Sequence, residues 1–208
     1  NDGSSWGFWK TDGTPDGTIL LRDGFSVPGS DEYPVVAVIN GSLLFVGDQD
    51  LWKTDGTPGG TVLVKSFNGL GWGNASGSAV ANNTLFFMGD GADGNGFELW
   101  KSDGTEAGTV MVSNINPLQG ASSNPFELTA LGTTLYFRAF DGSNGTELWR
   151  SDDGSSWLRT VADGFGDETN LEARSMVAWD GSRYRFVADF GGMGGLGYLT
   201  APGVYARP

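Results

Sequence analysis

The sequence predicts an all-β fold, most simply a β-propeller of five blades, each with four antiparallel strands. Three observations predict it. A long motif recurs at blade spacing, an apolar hairpin pattern precedes most copies of it, and glycine and aromatic residues are both abundant. Of 208 residues, 35 are Gly, 8 Trp and 13 Phe. Ordinary chains carry about 7% Gly, and this one carries more than twice that share. Only 8 residues are Pro and no G-X-Y period is present, which excludes collagen. So many large aromatics exclude a disordered chain.

The motif reads FWKTDGTPDGT from Phe8, LWKTDGTPGGT from Leu51, LWKSDGTEAGT from Leu99 and LWRSDDGSSW from Leu148. Its tryptophans, Trp9, Trp52, Trp100 and Trp149, recur at intervals of 43, 48 and 49 residues. A period near 45 residues fits one four-stranded blade. Before the second, third and fourth copies stand Val38–Asp48, Val80–Asp90 and Ala130–Asp141. Each is an apolar run, a tight turn and a second apolar run, and Ala178–Asp189 repeats the pattern once more. Asn40-Gly41, Asn82-Asn83 and Asp180-Gly181 supply the positive φ that two-residue hairpin turns need; Gly132-Thr133 does so less well. Runs such as Leu43-Leu44-Phe45 and Leu85-Phe86-Phe87 are apolar on both faces, as in a sheet covered on both sides.

One unit is therefore two hairpin strands, the tryptophan strand and a fourth strand after the Gly-Thr turn. The chain divides into a half-unit 1–32, repeats 33–74, 75–124 and 125–170, and a final unit 171–208, all in one domain. The half-unit lacks its first hairpin, and the final unit has weak third and fourth strands. The two ends are thus expected to share a blade and close the ring, residues 1–32 pairing beside the strands of 171–190. Arg185, where other units carry Leu44, Phe86 and Tyr136, either pairs with an acid between blades or marks a blade face that is not fully covered. A piece of a longer repeat array would read the same way.

The ELWKSDGTEAGT unit resembles a repeat found in many copies in large secreted and surface proteins of bacteria. The resemblance implies a propeller-like fold and an extracellular or cell-surface location, and it implies no activity. The fourth copy departs from it with DDGSSW, and the fifth unit lacks the Trp-Lys pair.

Absent residues narrow the chemistry. No Cys and no His are present, so disulfides, thiolate nucleophiles, Ser-His-Asp catalysis and His or Cys metal sites are excluded. The net charge of −13 repels a phosphate backbone, so nucleic acid is not an expected partner. No apolar run reaches the length of a membrane-spanning helix.

The motif residues have architectural work available. The recurring tryptophans are read as blade-to-blade core. Lys10, Lys53, Lys101 and Arg150 stand two residues before Asp12, Asp55, Asp103 and Asp152, which reads as a solvated pair on one strand face. The Asp-Gly-Thr runs are turn chemistry. Trp6, Trp72, Trp157 and Trp179 lie outside the motif, on loops or beside turns, and are the candidate ligand-binding residues: an indole near Asn and Asp suits stacking on a sugar. Oxygen side chains spaced by glycines suit a hard cation. The candidate Ca²⁺ ligands are Asp90, Asp93 and Asn95, in the loop ending at Glu98, with Asp141 and Asn144 in the loop ending at Glu147. A plain Asx-turn loop is the competing reading. Asn40, Asn74, Asn82 and Asn144 stand in glycosylation-acceptor patterns.

The expected function is a non-enzymatic extracellular binding or scaffold module that recognises glycans or cell-surface proteins and belongs to a longer chain or assembly. A structural subunit of a surface layer or filament is the second reading. A carboxylate-dependent glycoside hydrolase is the third. It would need two facing acids from Asp31, Glu32, Glu127, Asp167, Glu168 and Glu172, with Glu127 and Glu172 the best placed.

Overall fold

The computed structural model describes residues 6–25, 37–70, 77–143 and 146–151, together with the backbone of strands at 158–159, 172–179, 183–190, 193–200 and 204–206. Among these residues there is no helix, and hence none that could cross a membrane. The first unit is a hairpin of β1 (Trp6–Lys10) and β2 (Ile19–Phe25). The second is a four-stranded sheet, β3 (Ala37–Ile39), β4 (Ser42–Gly47), β5 (Asp50–Thr54) and β6 (Val62–Lys65), in sequence order. The third has β9 (Thr84–Asp90), β10 (Phe97–Ser102) and β11 (Val110–Ser113). Along the outer edge of β9 lie two segments in succession, β7 (Gly69–Leu70) against its end and β8 (Ser78–Ala81) against its start. The fourth is β12 (Phe126–Leu131), β13 (Thr134–Phe140), β14 (Thr146–Ser151) and β15 (Leu158–Arg159). The fifth is β16 (Glu172–Trp179), β17 (Arg183–Phe190), β18 (Met193–Thr200) and β19 (Val204–Ala206).

The turn chemistry sets the hairpins. Asn40 and Gly41 both take positive φ, as do Asn82 and Asn83, the geometry that matches the twist of the flanking strands. At the fourth unit only Gly132 does so. The link from β4 to β5 is a second tight turn, with Asp48 at φ 54 and Gln49 at φ 70.

Alternation sends successive side chains of one strand into different cores. Phe45 and Trp52 of the second sheet pack with Phe25 and Phe8 of the first hairpin. Leu44 and Leu51 point the other way, into a cluster with Phe67, Leu85, Phe87 and Trp100. Phe86 and Leu99 of the third sheet in turn join Leu135 and Phe137 of the fourth. Units one to four therefore stack face to face in chain order, and the strands that read as apolar on both sides are buried on both sides.

The last unit corrects one expectation. Its third and fourth strands are β18 and β19, paired within its own sheet, and β1–β2 forms a separate two-stranded sheet. The expected sharing of strands between the chain ends is not what the sheets show. Gly194, Gly195 and Gly197 made β18 look weak, yet backbone pairing to β17 runs from Met193 to Thr200 without interruption. A strand needs its N–H and C=O groups paired before it needs side chains.

Candidate functional site

Each of the first three motifs builds one loop, and the three loops are nearly superimposable in their hydrogen bonds. In the first, Asp12 Oδ1 accepts from the Thr14 N–H at 2.9 Å and its hydroxyl at 2.7 Å. Thr14 Oγ1 accepts from the Gly17 N–H at 3.0 Å, and Thr18 Oγ1 donates to the Thr14 carbonyl at 2.7 Å. Asp55 and Thr57 repeat this, as do Asp103 and Thr105. The closing glycine leaves the Asp carboxylate its place, because a Cβ on Gly17, Gly60 or Gly108 would sit 1.9 to 2.1 Å from it and displace it. The Thr hydroxyl and N–H hold all three carboxyls below the usual Asp value of 3.8.

Lys10 acts on Asp12 of its own motif, helping to lower its pKa, whereas Lys53 makes its hydrogen bond away from Asp55. β1 and β5 end before Asp12 and Asp55, so the strand alternation no longer applies there. Lys53 Nζ instead crosses to the third unit and donates to the Gly104 carbonyl at 2.9 Å. The Lys10 side chain lies beside Gly56 of the second unit's loop. Each of these lysines also helps, as the weakest contribution, to lower the pKa of the next unit's Asp55 or Asp103. Further round, Asn83 Nδ2 donates to Asn40 Oδ1 between turn tips, and Asn40 Nδ2 donates to the Asp103 carbonyl at 3.2 Å. The loops and turns thus form polar latches between neighbouring units.

The acid two residues before the motif Trp was not singled out by sequence reasoning, and it is the most consequential polar group. Glu98 is fully buried. It accepts from the Ile115 N–H at 3.0 Å, the Ser123 N–H at 3.1 Å and the Ser123 hydroxyl at 2.6 Å. Burial pushes its carboxyl above the usual 4.5, and the Ser123 hydroxyl and backbone donors work against that push. Asp50 does the same job in the second unit, accepting from the Phe67 N–H at 3.0 Å. Both acids hold the chain 17 residues on, where it leaves for the next sheet. The signal was available: Asp50, Glu98 and Glu147 all precede a motif Trp by two residues.

The motif tryptophans divide. Trp52 and Trp100 are buried, Trp149 is half-buried, and Trp9 is 56% exposed. Trp52 Nε1 donates to the Gly47 carbonyl at 3.0 Å and Trp149 Nε1 to the Ala139 carbonyl at 3.1 Å. Trp52 also carries two contacts from the preceding unit: the Arg22 guanidinium over its ring at 4.2 Å and Phe25 edge-on at 5.5 Å. Trp100 has the same pair, Lys65 at 5.7 Å and Phe67 at 4.9 Å.

Of the candidate ligand-binding residues, Trp6 is exposed at the start of β1. Trp179 ends β16, described by its backbone; Trp72 and Trp157 lie outside the described residues. In the candidate cation loop, Asp90 caps the Ala92 N–H and accepts from Asn68 Nδ2, and Asp93 caps the Asn95 N–H. Asn95 Oδ1 accepts from Asn114 Nδ2, and Asp141 caps the Ser143 N–H; Asn144 lies outside the described residues. Asp90, Asp93 and Asp141 therefore each cap a turn with one oxygen. Among the described residues no three acidic side chains form a group that could hold a metal ion. Glu127 is half-buried in a bulge of β12 with φ 55, and Glu172 opens β16. Asp31, Glu32, Asp167 and Glu168 lie outside the described residues. Asn40 and Asn82 sit exposed at hairpin turns; Asn74 and Asn144 lie outside the described residues.

The sequence matches no protein-family model and no curated protein. Among solved structures it is similar to puromycin hydrolase, at 18% identity and TM-score 0.46, over 89% of this chain and 30% of that one. A mutant of that hydrolase complexed with PGG gives 17% identity and TM-score 0.44 over the same shares. A protein described as TolB from Agrobacterium tumefaciens gives 11% and 0.34, over 91% of this chain and 83% of that one. The chain spans about 30% of the length of the hydrolase. Likenesses this distant imply neither the fold nor an activity.

Proposed function

We propose that the stacked sheets are blades of a β-propeller-like repeat array, with a closed five-bladed ring as its fullest form, and that the chain is a non-enzymatic extracellular module for binding or scaffolding. One observation carries this reading. The chemistry-bearing side chains are spent on architecture, in the same way in unit after unit. Three Asp-Thr loops repeat the same hydrogen bonds, Asp50 and Glu98 tie down backbone, and the loop carboxylates of Asp90, Asp93 and Asp141 cap turns. An enzyme concentrates unusual, strained or unsatisfied groups at one place. Among the described residues, the exposed apolar side chains include two indoles on one hairpin, Trp6 and Trp9, 57% and 56% exposed, besides aliphatic residues such as Val38 and Leu118. Exposed indoles suit a glycan ring or a partner's apolar surface.

A glycan array with the intact chain, run with and without a chelator, tests the binding reading. Binding that survives chelation and is lost in Trp6→Ala supports glycan stacking without Ca²⁺. Loss on chelation that Asp93→Ala reproduces without a chelator supports a cation in the Asp90–Glu98 loop. No binding under either condition leaves the scaffold reading.

A further inference from the structure

A motif strand has two edges, and the sheets show what each one takes. On one edge runs the fourth strand. Trp52 lies opposite Leu63 and Leu51 opposite Lys65, which leaves one extra residue on the fourth strand. Trp100 with Met111 and Leu99 with Ser113 repeat that bulge. So do Trp9 with Leu20 and Phe8 with Arg22. The β1–β2 hairpin is therefore the same half-sheet as β5–β6 and β10–β11, in the same register. On the other edge runs the second strand, in unbroken register. A Phe stands opposite each Trp there: Phe45 opposite Trp52, Phe87 opposite Trp100 and Phe137 opposite Trp149. A Leu stands opposite the residue two further on: Leu43 opposite Thr54, Leu85 opposite Ser102 and Leu135 opposite Ser151. The second strand also supplies an acceptor for the indole, the Gly47 carbonyl for Trp52 and the Ala139 carbonyl for Trp149.

β1 has no such strand. Among the described strands, those of the fifth sheet included, it pairs only with β2. The N–H and C=O groups along its open edge are a template for another strand, and Trp9 beside them is 56% exposed. We propose that this edge binds an extended segment of a partner protein as an added antiparallel strand. The segment reads Leu, then Leu, Phe or Tyr, then Phe, then any residue, then Gly or Ala. Its Phe lies opposite Trp9 and its Leu opposite Thr11, and its small residue offers a carbonyl to Trp9 Nε1. This pattern is the one that β4, β9 and β13 bring to the same place in the next three units. Main-chain pairing supplies affinity, and the Leu and Phe positions supply specificity. The proposal rests on the binding side of the reading above and names the partner's chemistry.

The probe is a fluorescent peptide of the β4 sequence, Ser42–Asp48, with a short arginine tail for solubility, titrated with the intact chain and read by anisotropy. Saturable binding is expected. A control peptide with Phe45→Ser and the same tail should bind more than about tenfold more weakly, the least that loss of a central aromatic anchor produces. The shared tail cancels simple attraction to a chain of net charge −13. Trp9→Ala in the chain should weaken binding of the parent peptide as much, with circular dichroism unchanged because Trp9 is largely exposed. Leu118→Ser, at an exposed apolar residue away from the hairpin, should leave it unchanged. N-methylation of alternate peptide residues separates strand pairing from apolar contact. Only every second N–H of an added strand faces β1, so methylation in one phase should abolish binding and in the other leave most of it. No saturable binding overturns the proposal, as does binding indifferent to Trp9→Ala or to the phase of methylation. Glycan binding by a chain that takes no peptide overturns it too, while keeping the binding reading.

Discussion

Trp9 and Trp100 hold the same position in nearly the same motif, yet one is 56% exposed and the other 5%. Their loops share the same hydrogen bonds, but β1 has only β2 beside it, whereas β10 lies between β9 and β11. The preceding unit is the second difference. Trp100 meets Phe67 and Lys65 from the second unit; among the described residues no such pair covers Trp9. The motif therefore supplies a ring ready for burial, and its neighbours do the burying. Stability in such an array resides largely in contacts between neighbours.

The largest expected effect follows directly. Trp100→Ala should cost roughly 3–5 kcal/mol in denaturant unfolding, the range for a large aromatic lost from a core. Trp9→Ala, measured in dilute solution, should cost less than about 1 kcal/mol, as for a surface substitution. Equal costs would break the comparison.

The next effect concerns the buried acid. Glu98→Ala should cost about 3 kcal/mol, because three donors from Ile115 and Ser123 lose their acceptor in a buried place. Asp50→Ala, at a half-buried acid with fewer buried partners, should cost about 1 kcal/mol. The pH signs are opposite for the two kinds of acid. Glu98 holds its proton more tightly folded than unfolded, so its ionisation removes stability as pH rises through 4.5 towards its raised value. Asp12, Asp55 and Asp103 are lowered, so the stability they add is present above 3.8 and lost as pH falls through their lowered values. Carboxyl titration by NMR should place Glu98 above 4.5 and Asp103 below 3.8; a reversed order contradicts the assignments.

A smaller effect separates the loop from the core. Gly108→Ala should cost about 1–2 kcal/mol, since the new methyl displaces the Asp103 carboxylate from Thr105. In an Asp103→Ala background the same substitution should cost much less, because the group it displaces is gone. Additive costs in that double-mutant cycle would show that the carboxylate is not what the glycine accommodates. The smallest effect is Lys53→Met, at most about 1 kcal/mol for a surface-level charged contact.

Much of this was legible in the sequence. Two-residue turns at Asn40-Gly41 and Asn82-Asn83, strands apolar on both faces, and the Asp-Gly-Thr loops follow from local chemistry. The burial of Trp52 and Trp100 followed from recurrence. What was not legible depends on neighbours. Lys53 and Asp55 stand two apart, which suggests one face of one strand, but the strand ends at Thr54 and the lysine serves the next unit. β18 was underrated because its glycines carry no packing signal, although backbone pairing alone holds it in its sheet. Glu98 was read only as the residue closing a candidate cation loop. Its donors come from a segment 17 to 25 residues further on, which no local pattern shows.

The central claim is that burial of a motif Trp is conferred by its neighbours, the strand beside it and the unit before it. The most direct measurement is the solvent isotope shift of 5-fluorotryptophan resonances, assigned by Trp9→Phe and Trp100→Phe and recorded at a dilution where the chain is monomeric. The account predicts a large H₂O-to-D₂O shift for Trp9 and little or none for Trp100. Comparable shifts at both positions would contradict it.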